Sequence, residues 1–392
     1  MKSKVNILLV VLLFISSCVP MVTPTRRYQE EPTVRILLKK NPGSIEFTSD
    51  SKIKIKTGDK NGTVSGRVSL YFDPALKIIT PEGNIKDPEL PISLESTKRF
   101  IKIDGEIYPG TIVVSRFGDV LVVNHVKIED YLKGVIPFEM GNLPESQIEA
   151  LKAQAVAARS FVMAHIKPNE PFDISTTIWD QVYGGVSKTD KIIYKAVEST
   201  RGIVAIYDGK IIDAKYSSTC GGITENNENI WIGERIPYLR SVRDAGWDRK
   251  DFCRFSPHYR WERIYDKREF FEVIKKQIKD FFGKTPNRIE WIRITKRTRT
   301  NRVRTIEINT DIGKFYLEKD QIRRLFSDDR GSLKSLIFQI KVKSNQIIVS
   351  GKGYGHGVGM CQYGAMEMAK ERYSYQKILS HYYKGIQLKK LW

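Results

Sequence analysis

Between Glu145 and His165 the apolar positions Ile148, Leu151, Ala155, Ala158 and Val162 step by three and four residues. That spacing lines one face of an α-helix. Ala153, Ala155, Ala157 and Ala158 leave the helix thin, so neighbours can approach its backbone closely. The reading is a core helix, with Pro144 suited to the turn that opens it. From Val34 to Val126 the pattern is different. Segments such as Val34-Arg-Ile-Leu-Leu, Lys52-Ile-Lys-Ile-Lys, Thr111-Ile-Val-Val-Ser and Val120-Leu-Val-Val-Asn alternate or run β-branched, which predicts short strands separated by turns. Strands first and packed helices later make the expected fold class α+β.

The chain divides further. Residues 1–17 carry Lys2 and Lys4, then an apolar run from Val5 to Ile15, then small residues before Cys18. This is the layout of a lipoprotein-type signal peptide, too short to span a bilayer, which takes about 20 apolar residues. Ile15-Ser-Ser-Cys18 resembles a bacterial lipobox, which implies a lipid on Cys18 and an exported, membrane-anchored protein facing the cell wall or periplasm. Residues 18–33 read as a tether and 34–119 as a β-rich accessory region. Residues 120–258 and 341–392 read as the core, with 259–340 as a mixed α/β insert. Asp208-Gly209 between Ile203-Val-Ala-Ile-Tyr and Lys210-Ile-Ile-Asp-Ala predicts a hairpin. Lys and Arg total 65 against 45 acidic residues, a net charge of +20 that favours anionic partners. Export and the lack of a nucleic-acid-binding motif argue against nucleic acid. The basic run Lys296-Arg-Thr-Arg-Thr-Asn-Arg-Val-Arg reads as a solvated hairpin or a binding patch.

Few residues are candidates for chemistry. Glu139 lies in Val135-Ile-Pro-Phe-Glu-Met, and apolar surroundings keep a carboxyl protonated, ready to act as a general acid; the plain alternative is a surface glutamate in a loop. His356 stands among the alternating glycines of Gly353-Tyr-Gly-His-Gly-Val-Gly-Met-Cys-Gln-Tyr-Gly-Ala365, a segment open to a ligand or another backbone. The five histidines show no metal-ligand spacing, and four cysteines do not make a zinc cluster without histidine help. The expectation is therefore no metal and no cofactor. Cys220 and Cys253 are expected to form a disulfide in an exported chain. Cys361 is left over, its pairing with His356 as a nucleophile being only weakly indicated.

Five ordered segments together resemble one family. They are Ile128-Glu-Asp-Tyr-Leu-Lys-Gly-Val-Ile-Pro-Phe-Glu-Met140, Glu149-Ala-Leu-Lys-Ala-Gln-Ala-Val-Ala-Ala-Arg-Ser160, Asp180-Gln-Val-Tyr183, Ser217-Ser-Thr-Cys-Gly-Gly-Ile-Thr224 with Trp231 and Pro237-Tyr-Leu239, and Gly353 to Ala365. The family is that of stage II sporulation protein D (SpoIID/LytB, amidase-enhancer domains), and the resemblance covers residues 120–385 outside the insert. It implies a peptidoglycan lytic transglycosylase, with Glu139 as its acid. It also implies that His356, Gly357, Gln362, Gln181, Tyr183, Ser218 and Thr219 line or support the glycan groove. The implied partners are glycan strands, preferably denuded of stem peptides, and a cell-wall amidase. Some members bind zinc through Cys and His just before the Gln-Val-Tyr motif. Asp173-Ile-Ser-Thr-Thr-Ile-Trp-Asp180 has neither, so no such zinc is expected here. Position 361, commonly serine, is Cys here. The competing reading is a non-catalytic, glycan-binding lipoprotein that stimulates a wall amidase.

Overall fold

The computed structural model describes residues 30–73, 75–176 and 181–392. Met1–Ser17 and Cys18 lie outside the described residues, as does all but the end of the expected tether. The class is α+β. The N-terminal region forms an eleven-stranded sheet, along which Thr33–Lys40, Asp119–Lys127, Glu106–Phe117, Ile92–Ile103 and Ser44–Thr48 are successive neighbours. Alternation works as the sequence demands. In Ile53–Thr57 the residues Ile53, Ile55 and Thr57 turn inward while Lys54 and Lys56 face water.

Two apolar cores result. One lies inside the sheet region, around Phe47, Val68, Leu70, Ile92, Ile101 and Val114. The other gathers the helices and the rest of the chain, and it claims Val34, Ile36 and Val126. The strand Asp119–Lys127 serves both, with Val120 and Val122 in the first core and Val126 in the second.

That strand runs directly into helix α1 (Ile128–Met140). The sequence predicts a short helix near Ile128–Leu132. The observed helix continues eight residues further, past Pro137. Proline removes one N–H and frees the carbonyl four residues back. That carbonyl, on Lys133, accepts the Thr189 hydroxyl at 2.7 Å, so the helix tolerates the proline. It ends where Gly141 takes φ 69°. Gly134 is the place where Tyr183 crosses α1: a Cβ there would sit 2.4 Å from the ring.

Helix α2 (Ile148–Ala164) is buried on every side from Ala153 to Met163 rather than along one stripe. Helix α1, helix α3 (Lys191–Ser199) and the strand Ile203–Tyr207 surround it, together with two helices from the C-terminus. Its alanines make this close enclosure possible. Asp190 caps α3 by accepting from the N–H groups of Ile192 and Ile193.

The later segment contributes helix α4 (Lys267–Phe282), a hairpin of Ile289–Arg297 and Val303–Thr310, and helix α5 (Gln321–Leu325). Its strand Arg260–Asp266 pairs with Gln346–Lys352, which pairs in turn with Ile337–Val342. Residue 340, read from the sequence as the end of the insert, thus falls inside a strand. The C-terminus adds helix α6 (Gln362–Lys370), helix α7 (Tyr375–Tyr382) and the strand Gln387–Lys390, which pairs with Ile203–Tyr207.

Candidate active site

Glu139 sits in the last turn of α1. It is partly accessible, but its carboxyl is crowded by protein. Burial is the largest influence on it and holds its pKa above the ordinary carboxylate range, against hydrogen bonds from Gln362, Val182 and Tyr216. The negative end of the α1 dipole acts in the same direction as burial. Gln362 Nε2 donates to Glu139 Oε2 at 3.1 Å, and the Val182 N–H donates to Oε1 at 3.3 Å.

These donors are themselves held. Gln362 opens α6 and also reaches Gln154 Oε1 on α2, at 3.5 Å. Tyr131 on α1 donates to Gln181 Oε1 at 2.7 Å, and Gln181 Nε2 donates to the Tyr216 hydroxyl at 2.9 Å. A continuous set of neutral polar groups therefore runs from Tyr131 through Gln181 and Tyr216 to Glu139, and on through Gln362 to Gln154. Burial raises the Tyr216 hydroxyl well above its usual range, so it stays a donor.

No second acid joins this set among the described residues. Asp130 pairs with Arg99 and Lys133. Glu145 pairs with Lys195, and Glu149 with Lys152. Asp180 lies outside the described residues.

The three residues of the Gln-Val-Tyr motif divide the work. Gln181 anchors the polar set and Val182 offers its N–H to the acid. Tyr183 is a wall: it is buried, its hydroxyl donates to Asn124 at 2.8 Å, and its ring packs on Tyr131 and Tyr108. Thr219 is buried, bonded to Ser256 at 2.6 Å and bridged through its backbone to Tyr354. Ser218 is partly accessible, with its carbonyl taking the Tyr363 N–H.

The glycine-histidine segment is not a flat strand. Gly353, Gly355, Gly357 and Gly359 all have positive φ. Of the two visitors the alternation admits, ligand or backbone, protein atoms fill the space at these glycines. A Cβ on Gly359 would lie 2.0 Å from the Lys215 carbonyl, and one on Gly357 would lie 2.2 Å from Arg302 Nη2. His356 has both ring nitrogens engaged. Nδ1 accepts the Val358 N–H at 3.0 Å, and the ring also bonds the Tyr216 backbone. Burial pushes its pKa down to about 3, so it is neutral, and its ring lies tilted against Trp231 with 4.9 Å between centroids. It holds the loop beside Tyr216 and is not an acid.

The disulfide expected between Cys220 and Cys253 is not made. Both thiols are free, and their Sγ atoms are 3.7 Å apart, against about 2.05 Å for a bond. The leftover Cys361 lies beside them rather than pairing with His356, and its Sγ accepts the Cys220 N–H at 3.2 Å.

Sequence reasoning missed three residues. Tyr216 immediately precedes the Ser217–Gly222 motif, and Gln154 is a lone amide in an apolar helix; those were the available signals. Arg302, from the basic run, is 2% exposed and donates to the Cys220 and Ile223 carbonyls, a role that neither a solvated hairpin nor a binding patch describes.

A mixed α+β scaffold carrying one enclosed carboxyl among amides defines a narrow class. The stage II sporulation protein family model matches residues 116–207, and a domain family of unknown function matches residues 248–359. Stage II sporulation protein D of Bacillus subtilis is 34% identical over 286 residues, covering 68% of this chain and 75% of that protein. An uncharacterised protein of Brachyspira hyodysenteriae is 36% identical over 291 residues, 73% of each chain. The amidase enhancer of Bacillus subtilis is 33% identical over 331 residues, which is 75% of this chain but 45% of the relative. The chain belongs to the stage II sporulation protein D family.

Proposed function

We propose that this protein is a lytic transglycosylase of the bacterial cell wall, cleaving the bond between N-acetylmuramic acid and N-acetylglucosamine. The observation that carries the reading is Glu139: a single enclosed carboxyl whose protonated form burial favours, with no second carboxylate beside it among the described residues. Hydrolysis of a glycosidic bond ordinarily takes two carboxylates. One suffices when the attacking oxygen belongs to the sugar itself. Glu139 gives its proton to the bridging oxygen as the glycosidic bond breaks. The resulting carboxylate, held by the Gln362 and Val182 donors, then takes the proton of the muramic C6 hydroxyl. That oxygen closes on C1, giving a 1,6-anhydro end and restoring the acid. Ser218 and the His356–Gly357 loop border the groove in this reading. The lipid on Cys18 keeps the enzyme at a membrane facing its polymer.

The test is mass spectrometry of denuded glycan strands digested by the purified protein. Anhydro-terminated fragments are expected; intact strands would overturn the reading. The amidase enhancer relative supports the alternative of a glycan-binding stimulator of a wall amidase. That reading gains if strands stay intact while a co-incubated amidase speeds up.

Two further results follow from the electrostatics. Donation requires protonated Glu139, so kcat/KM falls as pH rises through its elevated pKa. Gln362→Leu removes a donor that favours the charged form. Its alkaline limb therefore moves to higher pH, while kcat drops by about tenfold through the loss of one charge-assisted hydrogen bond. A pH–rate profile of both proteins reads the two effects; an unmoved limb would remove Gln362 from contact with the acid.

A further inference from the structure

Two stretches far apart in the chain, residues 220–253 and the start of α6, bring together Cys220, Asp244, Cys253 and Cys361. All four are buried, and their ligand-type atoms lie within 4.8 Å of one another. Cys220 comes from the loop after Ser217, and Asp244 from the loop that follows Val242. Cys253 lies in the short turn Phe252–Phe255, and Cys361 immediately precedes α6.

A core of small apolar groups would explain three buried thiols, since free cysteine packs as a small hydrophobe. It does not explain Asp244, which is fully buried. Its carboxyl meets Cys220 Sγ at 2.9 Å and the Tyr382 hydroxyl at 2.6 Å, and among the described residues it has no Lys or Arg ion-pair partner. A buried carboxyl with no cation is costly. A disulfide between Cys220 and Cys253 would leave both that carboxyl and Cys361 unaccounted for.

We propose that Cys220, Asp244, Cys253 and Cys361 form a closed, four-ligand structural site for one zinc ion. The donor chemistry selects the metal. Thiolates favour zinc, copper(I) or iron–sulfur centres, and a carboxylate oxygen among them disfavours copper(I). Three sulfurs and one oxygen in so small a space suit a single ion rather than a cluster. Tetrahedral zinc with Zn–S of about 2.3 Å sets sulfur–sulfur edges of about 3.8 Å. The Cys220–Cys253 separation is 3.7 Å. Binding displaces the three thiol protons to solvent, leaving three thiolates and a carboxylate around a dication. The surroundings answer the residual negative charge. The Cys220 N–H already points at Cys361 Sγ, and the buried Arg302 guanidinium is tied to the Cys220 carbonyl at 2.9 Å. With every position filled by protein, the ion has no open site for substrate and is structural. It would clamp the loop that carries Ser218 and Thr219 to the start of α6, one residue from Gln362. The inference does not depend on the transglycosylase reading.

The experiment is elemental analysis of the full chain purified with its thiols reduced. About one zinc per protein is expected, released stoichiometrically when an organomercurial caps the thiols. Cobalt(II), loaded in its place, should give thiolate-to-cobalt charge-transfer absorption and the intense visible bands of a tetrahedral ion. Cys253→Ser should weaken zinc binding by at least about tenfold, because even supporting residues around a metal are worth that much. The wild-type measurements decide even if that variant fails to fold. Wild-type protein without bound zinc and without the cobalt bands overturns the site. So does a non-reduced mass lighter by one Cys220–Cys253 disulfide.

Discussion

Glu139→Gln stops the release of anhydro-terminated fragments, yet the variant unfolds no earlier than the wild type. Gln fills nearly the same volume and keeps the side chain within reach of Gln362 and Val182, whose donors lie 3.1 and 3.3 Å from the carboxyl oxygens. What it removes is the transferable proton. A positioned general acid–base group is worth roughly 10²–10⁴ in rate, and here one group serves both halves of the reaction, so the loss is expected at or beyond the upper end. The stability prediction follows from linkage. Burial raises the pKa of Glu139 in the folded chain. The fold therefore favours the protonated form, and the contribution of this side chain to stability is lost as pH rises through the folded value. The amide cannot ionise, so Glu139→Gln is expected to match the wild type in acid and to be the more stable of the two in alkali. Thermal unfolding across pH, beside the glycan digest, measures both. Substantial residual cleavage by Glu139→Gln would take this carboxyl out of the mechanism.

Arg159→Met is expected to cost about 3–5 kcal/mol, the usual consequence of removing one partner from a buried ion pair. Arg159 and Glu129 are fully buried, joined by Nη2–Oε2 at 2.6 Å and Nε–Oε1 at 3.1 Å. Arg159 also donates to the Ile203 carbonyl at 2.9 Å, and Glu129 accepts the Gly202 N–H at 3.0 Å. The pair thus rivets α1, α2 and the strand Ile203–Tyr207. Without the guanidinium, the Glu129 carboxylate is left in the interior with little more than that N–H. Replacing both residues with apolar ones removes the stranded charge, so Glu129→Leu combined with Arg159→Met should recover most of the loss. Urea unfolding of the wild type, the single variant and the double variant separates these values. A single-variant loss under about 1 kcal/mol would show that the pair is already solvated. The same rivet fixes how α1, bearing Glu139, crosses α2, bearing Gln154. The single variant should therefore lose activity ahead of its unfolding midpoint.

Local patterns read well where one element satisfies itself. The segments begun at Val34, Thr111 and Val120 fall within observed strands, and the one begun at Lys52 is a strand from Ile53 onward. Asp208-Gly209 turns as expected, both residues at positive φ. Ser374 caps α7, accepting the Lys377 N–H. The apolar period predicts a helix over Phe270–Phe282, and α4 starts three residues earlier because Asp266 accepts the N–H groups of Arg268 and Glu269, a cap outside the hydrophobic period. The spacing of Ile128, Tyr131 and Leu132 predicts only a short helix, whereas α1 runs on past Pro137. The hydroxyl that rescues it comes from Thr189, and no local rule contains that contact.

Composition and periodicity by themselves determined the α+β class, the thin buried helix and the presence of a carboxyl in an apolar stretch. These follow from propensity, alternation and transfer of side chains from water, which act within a few residues. The tertiary structure alone decided what surrounds that carboxyl. Gln362 reaches Glu139 across 223 residues of chain, and Cys361 meets Cys220 across 141. It also turned the disulfide expected between two cysteines into a nest of three thiols and an acid. Directional contacts of a few ångströms between distant segments depend on where the packed helices bring them, and spacing along the chain carries no record of that.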